Sequence, residues 1–265
     1  MIYYEDYIKF ENGIYETFNS SKEFDSPTIK MYSCRKNSAI ISALKSCIIL
    51  NITNSKFTDS SFNQMEISVS KDKTTVNITI QEKIIDKLIN YMPFCTNVQC
   101  LWINQNTQTL DPFLNLPSLK YLFIYRCSVN YKINDILKIK SLKILSIERT
   151  DLLYIPEEIS NLKELEVLSL MHNSIQTLPK EIEKLLNLKY LGLNGTSITQ
   201  IPNTLEKLIH LQYLYLGKTK ITELPIGLSH LKELLRLALW ETELKELPER
   251  RGSVRKHLCE RIGVV

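Results

Sequence analysis

Residues 165–187 read LEVLSLMHNSIQTLPKEIEKLLN and residues 188–210 read LKYLGLNGTSITQIPNTLEKLIH, so the two stretches align without a gap. Each begins with a leucine that recurs every 23 residues, at Leu119, Leu142, Leu165, Leu188, Leu211 and Leu234. Prolines recur with the same period, at Pro156, Pro179, Pro202, Pro225 and Pro248. A fixed period of this length predicts a solenoid, because a single coil cannot bury its apolar side without a neighbour.

Each 23-residue unit combines the pattern of a strand with that of a short helix. Leucines alternate with other residues in the strand segment, so Leu168 and Leu170 point to the same, buried side. A polar residue then marks a bend, where its side chain can bond backbone groups that the turn leaves unpaired. These bend residues are Cys127, Thr150, Asn173, Thr196, Thr219 and Thr242. The proline that follows suits the first position of a short helix, and the glutamates after it suit the positive helix end.

The consensus of these units, LxxLxLxx(N/T/C)xIxxLPxxIxxLxx, resembles the leucine-rich repeat in its 23-residue form. It is similar to the repeats of intracellular Ras-group-related and bacterial leucine-rich repeat proteins. The resemblance implies an α/β solenoid, a horseshoe with a parallel concave β-sheet and short convex helices. One further repeat begins at Val98, so the repeats are expected over residues 98–248. Adaptors, receptors and regulatory subunits all use this fold, so the resemblance by itself implies no single function.

The segment before the repeats allows two interpretations. Residues 36–97 are either degenerate repeats, with inward pairs such as Leu50 and Ile52, or a small α+β capping region. The first interpretation stacks Val76 and Ile78 as one more inward pair, whereas the second makes residues 65–80 a hairpin. Within this segment, residues 82–92 have the spacing of an amphipathic helix.

Both ends of the chain are expected to act as caps, because terminal repeats must cover an exposed apolar edge. Residues 3–18 alternate apolar and polar side chains around Asn12 and Gly13, a dipeptide that favours a tight hairpin turn, so residues 1–35 are expected to form the N-terminal cap. At the other end, Val254, Leu258 and Ile262 fit one helix face, so residues 249–265 are expected to form a cap helix or tail.

Residues between the inward leucines should point out of the concave face of the sheet. Both tryptophans of the chain occupy such positions, together with several tyrosines and arginines. Aromatic and arginine side chains are the types that anchor protein interfaces. The predicted partner-binding residues are Trp102, Tyr121, Phe123, Tyr125, Arg126, Arg149, Met171, His172, Tyr190, Tyr213, Tyr215, Lys218, Arg236 and Trp240.

Small residues also fall on this face. Gly192, Gly195 and Gly217 weaken a strand and add no packing. They either form a low floor that a ligand approaches or fit the crowding on the inside of a curve. Cys127 occupies a bend position and is expected to be structural.

The sequence does not favour an enzyme. It has no Gly-rich phosphate loop, GxSxG or HExxH motif, and its cysteines and histidines lack metal-ligand spacing. Glu148, Arg149 and His172 should be neighbours on adjacent strands, and we interpret them as a solvated charge cluster rather than acid–base machinery. We therefore expect no catalytic residue, no metal and no cofactor.

The favoured function is a protein–protein interaction module that grips a partner protein with the concave face. One alternative is a regulatory or substrate-recognition subunit with activity in the N-terminal 95 residues. Another is glycan or nucleic-acid binding by the aromatic face, although Glu148 and Glu241 on that face make nucleic acid the weaker choice.

The composition predicts a cytoplasmic chain that is monomeric alone. The net charge is only +4, and acids stand where a signal peptide would carry lysines. No segment approaches the roughly 18 apolar residues that a membrane span needs. Six scattered cysteines without an export signal are expected to be reduced thiols.

Overall fold

The computed structural model describes residues 29–31, 38–54, 65–69, 75–80, 90–104, 114–130, 132–245 and 263–264. Its strands form one open sheet with the order β1-β3-β4-β2-β5-β6-β7-β8-β9-β10-β11-β12. These strands are β1 Ile29–Met31, β2 Ile49–Asn54, β3 Met65–Val69, β4 Thr75–Ile80, β5 Cys100–Asn104, β6 Tyr121–Tyr125, β7 Ile144–Glu148, β8 Val167–Ser169, β9 Tyr190–Gly192, β10 Tyr213–Tyr215, β11 Arg236–Ala238 and β12 Gly263–Val264. Two α-helices are described, α1 Ser38–Ser46 and α2 Ile133–Ile136.

Strands β5 to β11 are the repeat strands, and neighbours among them pair in parallel. The register joins equivalent positions of successive repeats, as in the row Leu168, Leu191 and Leu214. The predicted leucine-rich repeat solenoid with its parallel sheet is therefore confirmed.

The inward leucines of these strands form the floor of a core that runs the length of the solenoid. Leu168, Leu191 and Leu214 have no exposed surface, as predicted. The convex segments close the core from the other side with residues such as Ile182 and Leu205. Burial of a leucine side chain contributes about 1.5–3 kcal/mol, so this stack is the main source of stability.

The convex helices of the regular repeats are 3₁₀ helices. They span Glu157–Asn161, Lys180–Lys184, Asn203–Lys207 and Ile226–His230. The proline precedes the helix in an extended conformation instead of occupying its first turn, and its carbonyl accepts the first i→i+3 bond, as from Ile182 N to Pro179 O at 3.1 Å. Five residues are too few for a stable α-helix, and the tighter 3₁₀ turn suits such short connections.

The bend residues bond backbone groups as predicted. Thr196 Oγ1 donates to the Leu193 carbonyl at 2.7 Å, and Thr219 Oγ1 donates to the Leu216 carbonyl at 2.6 Å. Asn173 forms more hydrogen bonds than these threonines. Its Nδ2 donates to the carbonyls of Ile147 and Leu170, and its Oδ1 accepts from Thr150. Cys127 is buried, in agreement with a structural role.

The N-terminal strands do not stack in chain order. Strands β3 and β4 pair antiparallel, with Ile67 opposite Ile78, as the hairpin interpretation predicts. Strand β2 lies between β4 and β5 and is parallel to both. The two inward pairs do face the core, since Leu50 and Val76 are fully buried. Residues 49–80 therefore do not form repeats stacked in chain order, because β4 lies on the far side of β2 and not between β2 and β5.

At the other end, β12 pairs in parallel with β11, with Leu237 opposite Val264. The predicted cap helix over residues 254–262 lies outside the described residues, as do the predicted hairpin around Asn12 and most of the amphipathic helix over residues 82–92.

Candidate functional site: the concave face of the sheet

The outward side chains of the repeat strands form a second apolar layer, which we call the concave layer. Its buried members are Cys100, Phe123, Ile144, Val167, Tyr190, Tyr215 and Ala238. The half-buried side chains packed against it are Trp102, Tyr121, Met171, Tyr213 and Trp240. Curvature explains this layer, because outward side chains converge on the inside of an arc whose strands are only about 4.8 Å apart.

The expectation that all predicted partner-binding side chains face solvent was wrong for three of them. Tyr190 and Tyr215 are 1% and 0% exposed, and Phe123 is 4% exposed. Their rings pack against neighbours on the same face, so they support the surface instead of forming it. The remaining predicted residues are at least partly accessible. Arg126, Arg149, His172 and Lys218 are exposed, and Trp102, Tyr121, Tyr125, Met171, Tyr213, Arg236 and Trp240 are half-buried.

Aromatic contacts organise the concave layer into two groups. The Trp102 ring is stacked on Phe123 of the next strand, with centroids 4.0 Å apart and planes 7° from parallel. The Trp102 side chain also hydrogen-bonds Cys100, which orients the indole. At the other group, the Tyr190 ring lies 5.2 Å from Tyr215 and 6.3 Å from Tyr213. Each such pair stabilises the fold by about 0.5–1.5 kcal/mol beyond the contribution of the apolar area that it buries.

The three glycines on this face make room for neighbouring side chains. A Cβ on Gly217 would lie 2.3 Å from Cε2 of Trp240, and one on Gly192 would lie 2.7 Å from Cε of Met171. Gly195 has a φ of +68° and lies under the ring of His172. A low floor open to a ligand was therefore the wrong interpretation, and the crowding alternative is correct.

One edge of the concave face carries a row of mostly exposed residues, which we call the rim. Its residues follow the strands at equivalent positions and share a left-handed backbone. They are Arg126, Arg149, His172, Gly195, Lys218 and Glu241, with φ between 51° and 68°. This backbone is costly for residues other than glycine. It lets the amides of the first five donate to the next repeat, as from Arg149 N to Met171 O at 3.1 Å.

The rim is predominantly basic. Lys218 Nζ lies 3.5 Å from the Glu241 carboxylate and 5.1 Å from the centre of the Trp240 ring. The Arg126 guanidinium lies 5.1 Å from the centre of the Tyr125 ring. Burial lowers the pKa of His172, and the positive charge of Arg149 lowers it further, while Glu148 opposes the shift. At neutral pH, His172 is therefore uncharged.

A cavity of about 560 Å³ opens in the middle of the concave face. Its lining includes the Trp102–Phe123 stack on one side, and Met171 and Tyr190 on the other. Between them lie Ser146 and Glu148 of β7, and Glu148 is the one acidic residue among the described residues of the lining. We call this cavity the Glu148 pocket.

Two serines orient the carboxylate in the Glu148 pocket. Ser146 and Ser169 are opposite each other on β7 and β8. Ser146 Oγ donates to Glu148 Oε1 at 2.9 Å, and Ser169 Oγ donates to the same oxygen at 2.6 Å. Neither serine was a predicted site residue. The sequence does contain a pattern that could have indicated them, because Ser146 and Ser169 occupy equivalent positions of adjacent repeats and Glu148 is the next outward residue after Ser146.

The predicted trio of Glu148, Arg149 and His172 does line one cavity. Glu148 differs from the expected solvated charge because it is held by buried serines. Within the described ranges, no group of three or more His, Cys, Asp or Glu side chains could hold a metal ion. The helices of the described part of the chain are all too short or too polar to cross a membrane.

Comparison with protein families relates these features to known sequences. The family described as leucine-rich repeat region matches residues 97–207 and 180–254, which together cover more than half of the chain. The chain belongs to the leucine-rich repeat family. The comparison with curated proteins found no match.

Solved structures of other leucine-rich repeat proteins resemble this solenoid. A leucine-rich repeat protein of Leptospira interrogans has a TM-score of 0.55 at 21% identity, over 72% of this chain and 60% of that one. An internalin of Listeria monocytogenes has a TM-score of 0.52 at 21% identity, over 65% of this chain and 48% of that one. The plant peptide hormone receptor RGFR1, solved in complex with RGF2, has a TM-score of 0.50 at 22% identity, over 61% of this chain and 26% of that one. The chain thus spans only part of the length of each relative, and these likenesses show the fold.

Proposed function

We propose that this leucine-rich repeat chain is a non-catalytic interaction module that binds a partner protein through its concave face. Proteins of this family are generally protein-binding modules, and the plant receptor among the structural relatives is solved with a peptide hormone. The observation that carries the proposal is the row of half-buried apolar side chains over the buried concave layer. Contiguous apolar surface on a folded chain usually marks an interaction site.

The dimensions and composition of the face fit this role. Seven repeat strands at about 4.8 Å give an arc of roughly 30 Å, enough for an interface of about 800 Å² per partner. The half-buried residues include Trp102, Tyr213 and Trp240, and tryptophan and tyrosine are enriched among interface residues that dominate affinity. On the rest of the described surface, the large exposed apolar residues are mostly aliphatic, as at Leu186 and Ile209.

The proposal is tested by affinity capture from the cytosol of the source cells, with the purified chain as bait and calorimetry on the recovered partner. The concave variant is Tyr125→Ala combined with Tyr213→Ala, because both side chains are half-buried and outside the fully buried layer. The matched convex control is Leu186→Ala combined with Ile209→Ala, whose side chains are 57% and 56% exposed. We expect the concave variant to bind about thirtyfold more weakly and the convex control to bind like the parent chain. Loss of binding only in the convex control would contradict the proposal.

We also propose that the chain acts in the cytoplasm and is monomeric alone. Cys47, Cys95, Cys100 and Cys127 are buried free thiols, which suits a reducing compartment. Burial raises the pKa of Cys95 to about 12, so this thiol is unreactive. Cell fractionation checks the compartment, and light scattering on the purified chain checks the mass. Recovery in a secreted or membrane fraction, or a dimer mass, would contradict these two points.

A further inference from the structure

The Glu148 pocket contains a negative charge that has no cationic partner among the described residues. Among the described residues, no lysine, arginine or histidine nitrogen lies within 4.0 Å of the Glu148 carboxylate in an ion pair. Its Oε1 accepts from Ser146 and Ser169, and both serines are themselves buried. A partly buried carboxylate without a counter-ion is costly, so a cation supplied by a ligand would find a strong partner there.

The walls of the pocket suit the rest of a long cationic side chain. The stacked rings of Trp102 and Phe123 line one side. Aromatic faces attract ammonium and guanidinium groups, and an arginine can stack on them. Met171 and Tyr190 on the other side offer apolar contact for the methylene stem. A cavity of about 560 Å³ is large enough for one such side chain and the backbone that carries it.

Two basic residues, Arg149 and His172, also line the pocket and could oppose a cationic ligand. His172 is uncharged at neutral pH because its pKa is lowered, so it does not repel a cation. Arg149 is charged, but its side chain lies on the exposed rim, where water and salt screen it. The Glu148 side chain, in contrast, is half-buried and bonded to two buried serines. We therefore expect the charge of Glu148, rather than that of Arg149, to select the ligand.

We propose that the Glu148 pocket receives one arginine or lysine side chain of the partner protein, with Glu148 as its counter-ion. This inference rests on the proposed function, because it assumes that the partner lies on the concave face. It adds that the bound segment presents a basic residue at the level of β7 and β8. The Arg149 charge on the rim opposes this contact, so removal of that charge strengthens binding of an isolated cation.

The test uses two short peptides of closely similar shape, acetyl-Gly-Arg-Gly-amide and the same peptide with neutral citrulline in place of the charged arginine. Both tryptophans of the chain, Trp102 and Trp240, line the pocket, so 5-fluorotryptophan labelling gives two fluorine resonances that report binding. We expect the arginine peptide to shift a resonance saturably and the citrulline peptide to bind at least about tenfold more weakly. Glu148→Gln keeps the shape of the side chain and should cause the same loss for the arginine peptide.

Two further variants complete the design. Glu233→Gln removes an exposed acid that contacts His210 away from the pocket, and it should leave the titration unchanged. Arg149→Met should tighten binding of the arginine peptide severalfold. Equal binding of both peptides, or an unchanged affinity in Glu148→Gln, would overturn the inference. The proposed function would then still stand if the Tyr125 and Tyr213 double variant lost the captured partner, so the two failures are distinguishable.

Discussion

The indole ring of Trp240 covers Gly217 of the preceding repeat so closely that a Cβ on Gly217 would lie 2.3 Å from Cε2 and Nε1 of the ring. Lys218 Nζ lies 5.1 Å from the centre of the same ring. The ring is thus held by the main chain of its neighbour, and its position depends on a residue without a side chain. This contact also explains why a glycine can occupy the interior of a packed face.

Gly217→Ala is therefore expected to displace Trp240 and to destabilise the chain by about 1–3 kcal/mol, as overpacking usually does. Urea unfolding measures the loss, and tryptophan fluorescence reports the ring. Gly192→Ala is the comparison, because a Cβ there would meet the terminal methyl of Met171 and the buried Tyr190 ring but neither tryptophan. Unchanged tryptophan fluorescence in Gly217→Ala would contradict the assigned role of the Trp240 ring.

Leu191→Ala is expected to cost about 2–5 kcal/mol by leaving a cavity in the stack of inward leucines. Leu191 has no exposed surface and is flanked by Leu168 and Leu214 in register. Thermal or urea unfolding gives the change in the free energy of unfolding. Leu186→Ala, on a side chain that is 57% exposed, should change it by no more than about 0.5 kcal/mol. Similar losses in both variants would be inconsistent with the buried stack.

The fold of the repeat region was predictable because every repeat buries the same types of side chain at equivalent positions. The inward row that contains Leu191 follows from alternation alone, and the bend bonds of Thr196 and Thr219 follow from side-chain chemistry. The order of the N-terminal strands in the sheet was not predictable in this way. Whether β4 lies before or after β2 depends on long-range pairing, and both arrangements bury Val76.

The sequence predicts which residues lie on the concave face, but it does not predict how exposed each side chain is. Alternation places Tyr190 and Tyr215 outward, yet curvature buries both under their neighbours. Ser146 and Ser169 were not among the predicted site residues, because small hydroxyl side chains are rarely interface anchors. Their importance depends on a third residue, Glu148, and on distances that only the folded register defines.

Tyr215→Ala is expected to destabilise the chain by about 3–5 kcal/mol, the range of buried aromatic truncations. Tyr215 is fully buried in the concave layer and lies 5.2 Å from Tyr190, measured between ring centroids. Calorimetric melting checks the loss. Tyr154→Ala is the control, since its side chain is 52% exposed. A Tyr215 variant that melts like the parent chain would mean that the concave layer is not a second core.

Asn173→Ala is expected to cost about 2 kcal/mol or more, because it leaves several buried backbone groups without partners. Asn173 Nδ2 donates to the carbonyls of Ile147 and Leu170 at 2.7 and 2.8 Å, and its Oδ1 accepts from Thr150. Thr196→Val removes only the bond to Leu193 and should cost about 1 kcal/mol. Urea unfolding of the two variants ranks them, and the reverse order would contradict this account of the bend ladder.

The pKa of His172 tests the electrostatics of the pocket directly. Burial and the charge of Arg149 hold this pKa below the ordinary value of 6.5, while Glu148 acts in the opposite direction. Arg149→Met should therefore raise the pKa of His172, and Glu148→Gln should lower it further. Proton resonances of the imidazole ring, followed against pH, give both shifts, with His210 and His230 of the convex face as references. Movement of the same sign in the two variants would contradict the arrangement.

The lowered pKa of His172 also makes the free energy of unfolding depend on pH. Because the pKa of His172 is lower in the folded chain than in the unfolded chain, the unfolded chain binds the proton first as the pH falls. His172 therefore adds no penalty well above pH 6.5 and destabilises the fold as the pH falls through that value towards the folded pKa. His172→Gln should remove this part of the pH dependence of unfolding between neutral and mildly acidic pH. An unchanged pH profile in that variant would contradict the lowered pKa of His172 in the folded chain.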